Sequence, residues 1–246
     1  MQHLIKPYLV CYSVLSSHEY IHQAQDALVP LSQELLFAAR TGNPVVAQLQ
    51  ALATVDRNEL LRQLDTDRLK MTFWINVYNA AVQIALEGNS TLFENRAAFF
   101  RKNIITVAGH PLSLDDIEHG ILRRSLLRLR AGRLLPNGFE KMFRVTRLDP
   151  RIHFALNYGA RSCPPIEYYD DARIDEQLDL AMKSHLQETR QTPGAIFLPA
   201  FMNWYRGDFG GKKGMRRILQ KLGLPEFEAI RFQRFDWSLF PHNYRE

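Results

Sequence analysis

Apolar residues between Tyr20 and Leu64 recur at helical spacing. Leu28, Leu31, Leu35 and Leu36 share one face, and Leu49, Leu52 and Leu60 continue the pattern after a break at Thr41-Gly42-Asn43-Pro44. From Leu69 to Glu87, Phe73, Trp74, Val77, Ala81 and Ile84 again fall at helical spacing, while Ile75 and Tyr78 are apolar on other faces and Gly88-Asn89 supplies a stop. A helix apolar on most sides is a buried one, so this segment is expected at the centre of the fold. Asn103 to Val107 predicts a short strand, with a turn at Ala108-Gly109-His110-Pro111. Ser113 and Asp116 then form a capping pair for a helix running to about Arg130, with Leu114, Ile117, Ile121 and Leu129 facing inward. The acids Asp115, Asp116 and Glu118 suit its positive end, and Pro136-Asn137-Gly138 closes the region.

Ile152, Phe154 and Leu156 alternate with His153, Ala155 and Asn157, which predicts a strand that buries the first set and is broken at Gly159. Beyond it the pattern predicts a helix over Ile174 to Leu186, a buried strand over Ala195 to Leu198, a helix over Met215 to Leu222 ending at Gly223, and a last strand over Ile230 to Trp237. Phe235, Trp237 and Leu239 are costly to leave in water and are expected to dock on the body. Helices and strands mix without regular βαβ spacing. The expected fold is therefore α+β, a helix-rich single domain with a small, largely antiparallel sheet. Residues 1–68 read as a helical N-terminal lead-in packed on a core of residues 69–246.

With 246 residues, 46% of them hydrophobic, the chain can bury a full core. It holds no run of about 18 apolar residues, so no membrane span is expected. Leu9-Val10-Cys11 is too short, and too close to Pro7, for a signal peptide; a cytoplasmic protein is expected. Two distant cysteines, Cys11 and Cys163, give neither a disulfide framework nor a CxxC metal pair. The net charge of +5 gathers partly in Arg123, Arg124, Arg128, Arg130 and Arg133; without an accompanying motif this reads as a solvated helix face, not a nucleic-acid surface.

Gly207-Asp208-Phe209-Gly210-Gly211-Lys212-Lys213 has the wrong glycine spacing for a phosphate loop, and its Asp-Phe-Gly tripeptide lacks the other kinase motifs. Asp115 and His119 share a helix face but lack a second ligand pair, so no metal site is read, and no cofactor is implied.

The densest chemistry lies in Asp149 to Pro165, where a His, an Asn and a Cys surround one strand and turn. A Cys163 nucleophile, a His153 base and an orienting Asp149, Asn76 or Asn157 would make a cysteine hydrolase or acyl transferase, because a neighbouring imidazole is what converts a thiol to a thiolate near neutral pH. Backbone N–H groups of residues 159–162 would then face a developing oxyanion. A tight turn at Gly159-Ala160 sets Cys163 opposite Leu156, so contact with His153 requires a wider turn or a bend at Pro164. Asn76 and Asn79 sit three residues apart on the central helix; they either reach the region of His153 or cap loops that cross the helix. The alternative is a binding module in which His153 and Cys163 are structural, and Trp74, Tyr78, Asn79 and Trp204 line a pocket for a small molecule or peptide.

Three segments together resemble the domain of unknown function 547 family: Phe73-Trp74-Ile75-Asn76-Val77-Tyr78-Asn79-Ala80, the stretch from Leu112 to Arg123 with Asp115-Asp116-Ile117-Glu118-His119-Gly120, and the Asp149 to Pro165 block. Trp204-Tyr205-Arg206-Gly207-Asp208-Phe209 and Phe235-Asp236-Trp237-Ser238-Leu239 are similar to that family's pattern as well, so the likeness covers roughly residues 70 to 240. The resemblance implies membership but no activity, substrate or cofactor. Where many members are similar to Asn-Cys-Gly-Ala, this chain has Asn157-Tyr158-Gly159-Ala160, which argues against chemistry needing two neighbouring thiols. Plant members resemble multidomain interaction proteins, and that keeps the non-enzymatic alternative open.

Overall fold

In the computed structural model, which describes residues 20–21, 27–124 and 137–245, α1 (Leu28–Thr41), α2 (Val46–Thr54) and α3 (Arg57–Gln63) precede the long α4 (Asp67–Gly88). Each boundary has a local cause. Gly42, at φ +68°, closes α1 within the Thr41-Gly42-Asn43-Pro44 break. Asp56 caps α3 by accepting from the N–H groups of Asn58 and Glu59, and Thr66 caps α4 by accepting from Leu69. Buried on most of its surface, α4 carries Phe73, Trp74, Ile75, Val77 and Tyr78 into one apolar cluster with Leu31 and Leu35 of α1 and with Ile117, Ile121, Ile152 and Leu178.

After α4 come a 3-10 turn (Ser90–Asn95), α5 (Arg96–Arg101) and an antiparallel hairpin of β1 (Asn103–Val107) and β2 (His110–Ser113). The hairpin turn is tighter than the sequence suggests. Ala108 and Gly109 alone make it, both at positive φ, and His110 and Pro111 already pair with Val107 and Thr106. Ser113 and Asp116 cap each other as expected: Ser113 donates N–H and O–H to the Asp116 carboxylate, and its hydroxyl accepts the Asp116 N–H. The helix they open is not the expected α-helix. Asp116–Leu122 is a π-helix, in which the Arg123 N–H reaches the Glu118 carbonyl at 2.8 Å. The rest of the expected helix, with Arg128, Arg130 and Arg133, lies outside the described residues, as does Cys11.

α6 (Gly138–Phe143) is capped by Asn137. The expected strand at His153 is corrected: Pro150–Phe154 is a 3-10 helix, not a strand. Asp149 accepts the Arg151 N–H at 2.9 Å and Pro150 fills the first helical position, and together they start a helical turn. The alternation of apolar and polar residues carried no two-faced signal here, because every residue from 152 to 160 is buried.

α7 (Ile174–Gln187), β3 (Gln191–Thr192), β4 (Ala195–Leu198), α8 (Ala200–Trp204), α9 (Gly211–Lys221) and β5 (Ala229–Phe232) complete the chain. β4 is central in the order β3-β4-β5, antiparallel to β3 and parallel to β5. Phe201, Met215 and Leu219 cover this sheet in a second apolar cluster that also takes Phe154. The fold is thus helix-rich α+β, with one antiparallel hairpin and one mixed sheet.

The last strand is shorter than expected. Pairing ends at Phe232, and the chain leaves the sheet so that Phe235 and Trp237 pack against the main cluster. The segment around them is tied down by its backbone: Ser162 and Arg161 donate to Asp236 and Ser238, and Phe240 donates to Gly159. Leu239 bridges Ala160 yet stays 38% exposed. Among the described residues no helix is long and apolar enough to cross a membrane.

Candidate functional site

Several residues singled out in the sequence hold the chain in place. Asn76 donates to the Tyr169 carbonyl at 2.9 Å and accepts the Tyr169 N–H at 3.0 Å, so its amide is paired to the backbone of one residue. Asn79 does the same for the segment beside His153, donating to the Ala155 carbonyl and accepting the Asn157 N–H. Asn157 in turn spans its own loop, accepting from Gly159 N–H and donating to the Pro164 carbonyl. Asp149 caps the 3-10 helix and pairs with Arg151, and Trp74 lies edge-on between Phe73 and Phe139 in the core.

Cys163 and His153 have separate partners. The Cys163 sulfur takes the Tyr158 N–H at 3.1 Å, and burial pushes its thiol pKa up to about 12 despite the surrounding backbone N–H groups. The wider cleft that Cys163 borders, about 350 Å³, holds His185 but not His153. His153 Nε2 meets Asp208 Oδ2 at 2.9 Å. Burial holds its pKa below the usual histidine value, against the pull of Asp208. The ring is then neutral at pH 7, with its proton on Nε2 and a bare, buried Nδ1.

Asp208 is the hub that sequence reading missed. It receives both Nε and Nη2 of Arg123, at 2.6 and 3.0 Å, besides His153. Burial disfavours its charge, but the hydrogen bonds from His153 and Arg123 and the guanidinium charge outweigh it and bring the pKa down to about 2. Arg123 also lies over the Tyr205 ring, on which His153 stacks at 4.1 Å.

Around this hub the π-helix arranges a second set of groups. Ile117, Ile121 and Leu122 point into the core, while Asp115, Glu118 and His119 face a cavity of about 220 Å³. Glu118 accepts from Tyr78 at 3.5 Å and Tyr158 at 3.3 Å, and Tyr205 also bonds to it. Burial first, and then the Glu118 charge, raise the pKa of all three phenols, which stay protonated as donors. Arg123 can only donate, so its 3.1 Å contact makes His119 Nδ1 an acceptor and leaves the proton on Nε2, 3.8 Å from Asp115. The aromatic wall consists of Phe100, Tyr158, Tyr205 and the stacked pair Trp204 and Trp237, whose rings lie 5.6 Å apart.

Of the residues named from sequence, Trp204 lines this cavity and Tyr78 reaches it through Glu118; Trp74, Asn76 and Asn79 lie in the core. From sequence, Glu118 reads as one of the acids of a helix start, His119 as half of a rejected metal pair with Asp115, and Asp208 as part of a failed phosphate loop and kinase tripeptide. A signal was present: a His and three acids, Asp115, Asp116 and Glu118, interrupt the apolar stripe of Leu114, Ile117 and Ile121. Among the described residues no cluster of three or more His, Cys, Asp or Glu is placed to hold a metal.

Fold and site define a helix-rich α+β domain with a buried Arg-Asp-His network and an aromatic cavity floored by carboxylates. The chain belongs to the family described as "Protein of unknown function, DUF547", whose model matches residues 61–186. The matched segment holds Glu118, His153 and Cys163 and stops before Trp204, Asp208 and Trp237. No match was found among curated proteins or among solved structures.

Proposed function

We propose that this chain is a non-catalytic binding module for a small organic molecule, held in the cavity above the π-helix. The observation that carries the reading is the placement of Trp204, 41% exposed, over a cavity whose buried floor is the Glu118 carboxylate. A large aromatic surface beside one oriented polar group is how small-molecule sites combine affinity with specificity. The competing reading, a cysteine hydrolase or acyl transferase, finds little support in a thiol with a pKa of about 12 and a His153 committed to Asp208. Tyr158 adds to the case: it lines the cavity with a phenol bonded to Glu118.

Ligand-observed NMR with a mixed library of cationic, neutral and anionic fragments tests the proposal. Saturable binding that Trp204→Ala abolishes is the expected result. Binding that survives Trp204→Ala, or rapid labelling of Cys163 by a thiol electrophile at neutral pH, would overturn it.

A further inference from the structure

We infer that the cavity takes an organic ammonium ion, a conclusion that rests on the binding reading above and specifies its ligand. Among the described residues, the groups lining the cavity carry more negative than positive charge. Glu118 and Asp115 are the acids of the lining, His119 stands between them with its Nδ1 turned to the Arg123 guanidinium, and that guanidinium is engaged by both oxygens of Asp208. The tyrosines around Glu118 solvate its charge with hydroxyl dipoles but do not cancel it. Among the described residues Asp115 meets the loose 3.8 Å approach of His119 and the distant Arg101, and burial, with the neighbouring acids Glu118 and Asp116, raises its pKa.

The walls suit a cation as well. The faces of Trp and Tyr attract positive charge through the ring quadrupole, and sets of such rings recognise methylated ammonium groups. The protein already uses these rings in that way, with Arg96 over Trp237 at 4.9 Å and Arg123 over Tyr205 at 4.3 Å. Trp204 and Phe100 line the cavity with no such cation over them among the described residues. A volume of about 220 Å³ admits a small substituted ammonium, and a metal ion is disfavoured because, among the described residues, Asp115, Glu118 and His119 are not placed as a group that could hold one.

Titration with choline and tetramethylammonium, set against 3,3-dimethylbutanol as the uncharged isostere and benzoate as an anion, tests the assignment by tryptophan fluorescence and calorimetry. The ammonium probes should bind at least about tenfold more tightly than the isostere, with a comparable loss in Asp115→Asn and in Trp204→Leu. Asp115 is a quarter exposed, so Asp115→Asn should keep the wild-type melting temperature and separate recognition from folding. Equal binding of the isostere, or preference for benzoate, would overturn the ammonium assignment and leave the binding module standing. If no probe and no library fragment binds, the binding reading itself falls.

Discussion

Replacing Asp208 with leucine should destabilise the protein severely. The Arg123 side chain is 3% exposed, so Asp208→Leu leaves a buried guanidinium without its carboxylate and the Nε2 proton of His153 without an acceptor. Breaking a buried ion pair from one side costs about 3–5 kcal/mol, since the surviving charge keeps its desolvation penalty. At roughly 2–4 °C per kcal/mol for a chain of this size, the melting temperature should fall by about 6–20 °C. The double variant Arg123→Met/Asp208→Leu removes both charges and should recover most of that loss, giving a coupling energy of at least about 2 kcal/mol. Thermal and urea denaturation followed by circular dichroism read both numbers.

Acid supplies an independent arm. Asp208 has a folded pKa of about 2, against a usual 3.8. A depressed carboxyl pKa contributes stability that is complete above about pH 4 and is lost as pH falls towards 2. Discounted for partial exposure, that contribution is about 1–2 kcal/mol. Asp208→Asn should therefore flatten the stability profile in that window. An Asp208→Leu protein melting within about 2 °C of wild type, or a double variant less stable than both singles, would refute the account of the network.

Asn79→Ala orphans the buried Asn157 N–H and Ala155 carbonyl and should cost about 2–5 kcal/mol; an unchanged urea midpoint would count against the bracing role. Gly159→Ala places a Cβ 2.4 Å from the Leu86 Cδ1 at a φ of +84°, so a loss of roughly 1–3 kcal/mol is expected, and wild-type stability would show that the loop can shift. Cys163 should resist iodoacetamide at about pH 8 until the protein is unfolded; reaction at the rate of an exposed thiol would contradict its burial.

Features set by neighbours along the chain were legible in the sequence. The repeat of Phe73, Trp74, Val77 and Ala81 determines a helix apolar on most sides, which α4 is, and the Ser113 and Asp116 pair specifies a cap whose partners are three residues apart. Ala195 to Leu198 is a strand because a short apolar run between turn residues has few other solutions. The segment around His153 misled because alternation encodes a strand only when one face meets water, and here both are buried. The site depended on contacts that no local pattern records. Asp208 finds His153 across 55 positions and Arg123 across 85, and Glu118 gathers Tyr78 and Tyr158 from 40 positions to either side. His153 and Cys163, ten positions apart in the sequence, take different partners once the 3-10 turn and the Asn157 loop redirect the chain. Residue type and local spacing determined which groups would be buried and polar. Only packing decided which of them met, because a buried donor must pair with whatever acceptor the tertiary fold brings within about 3 Å.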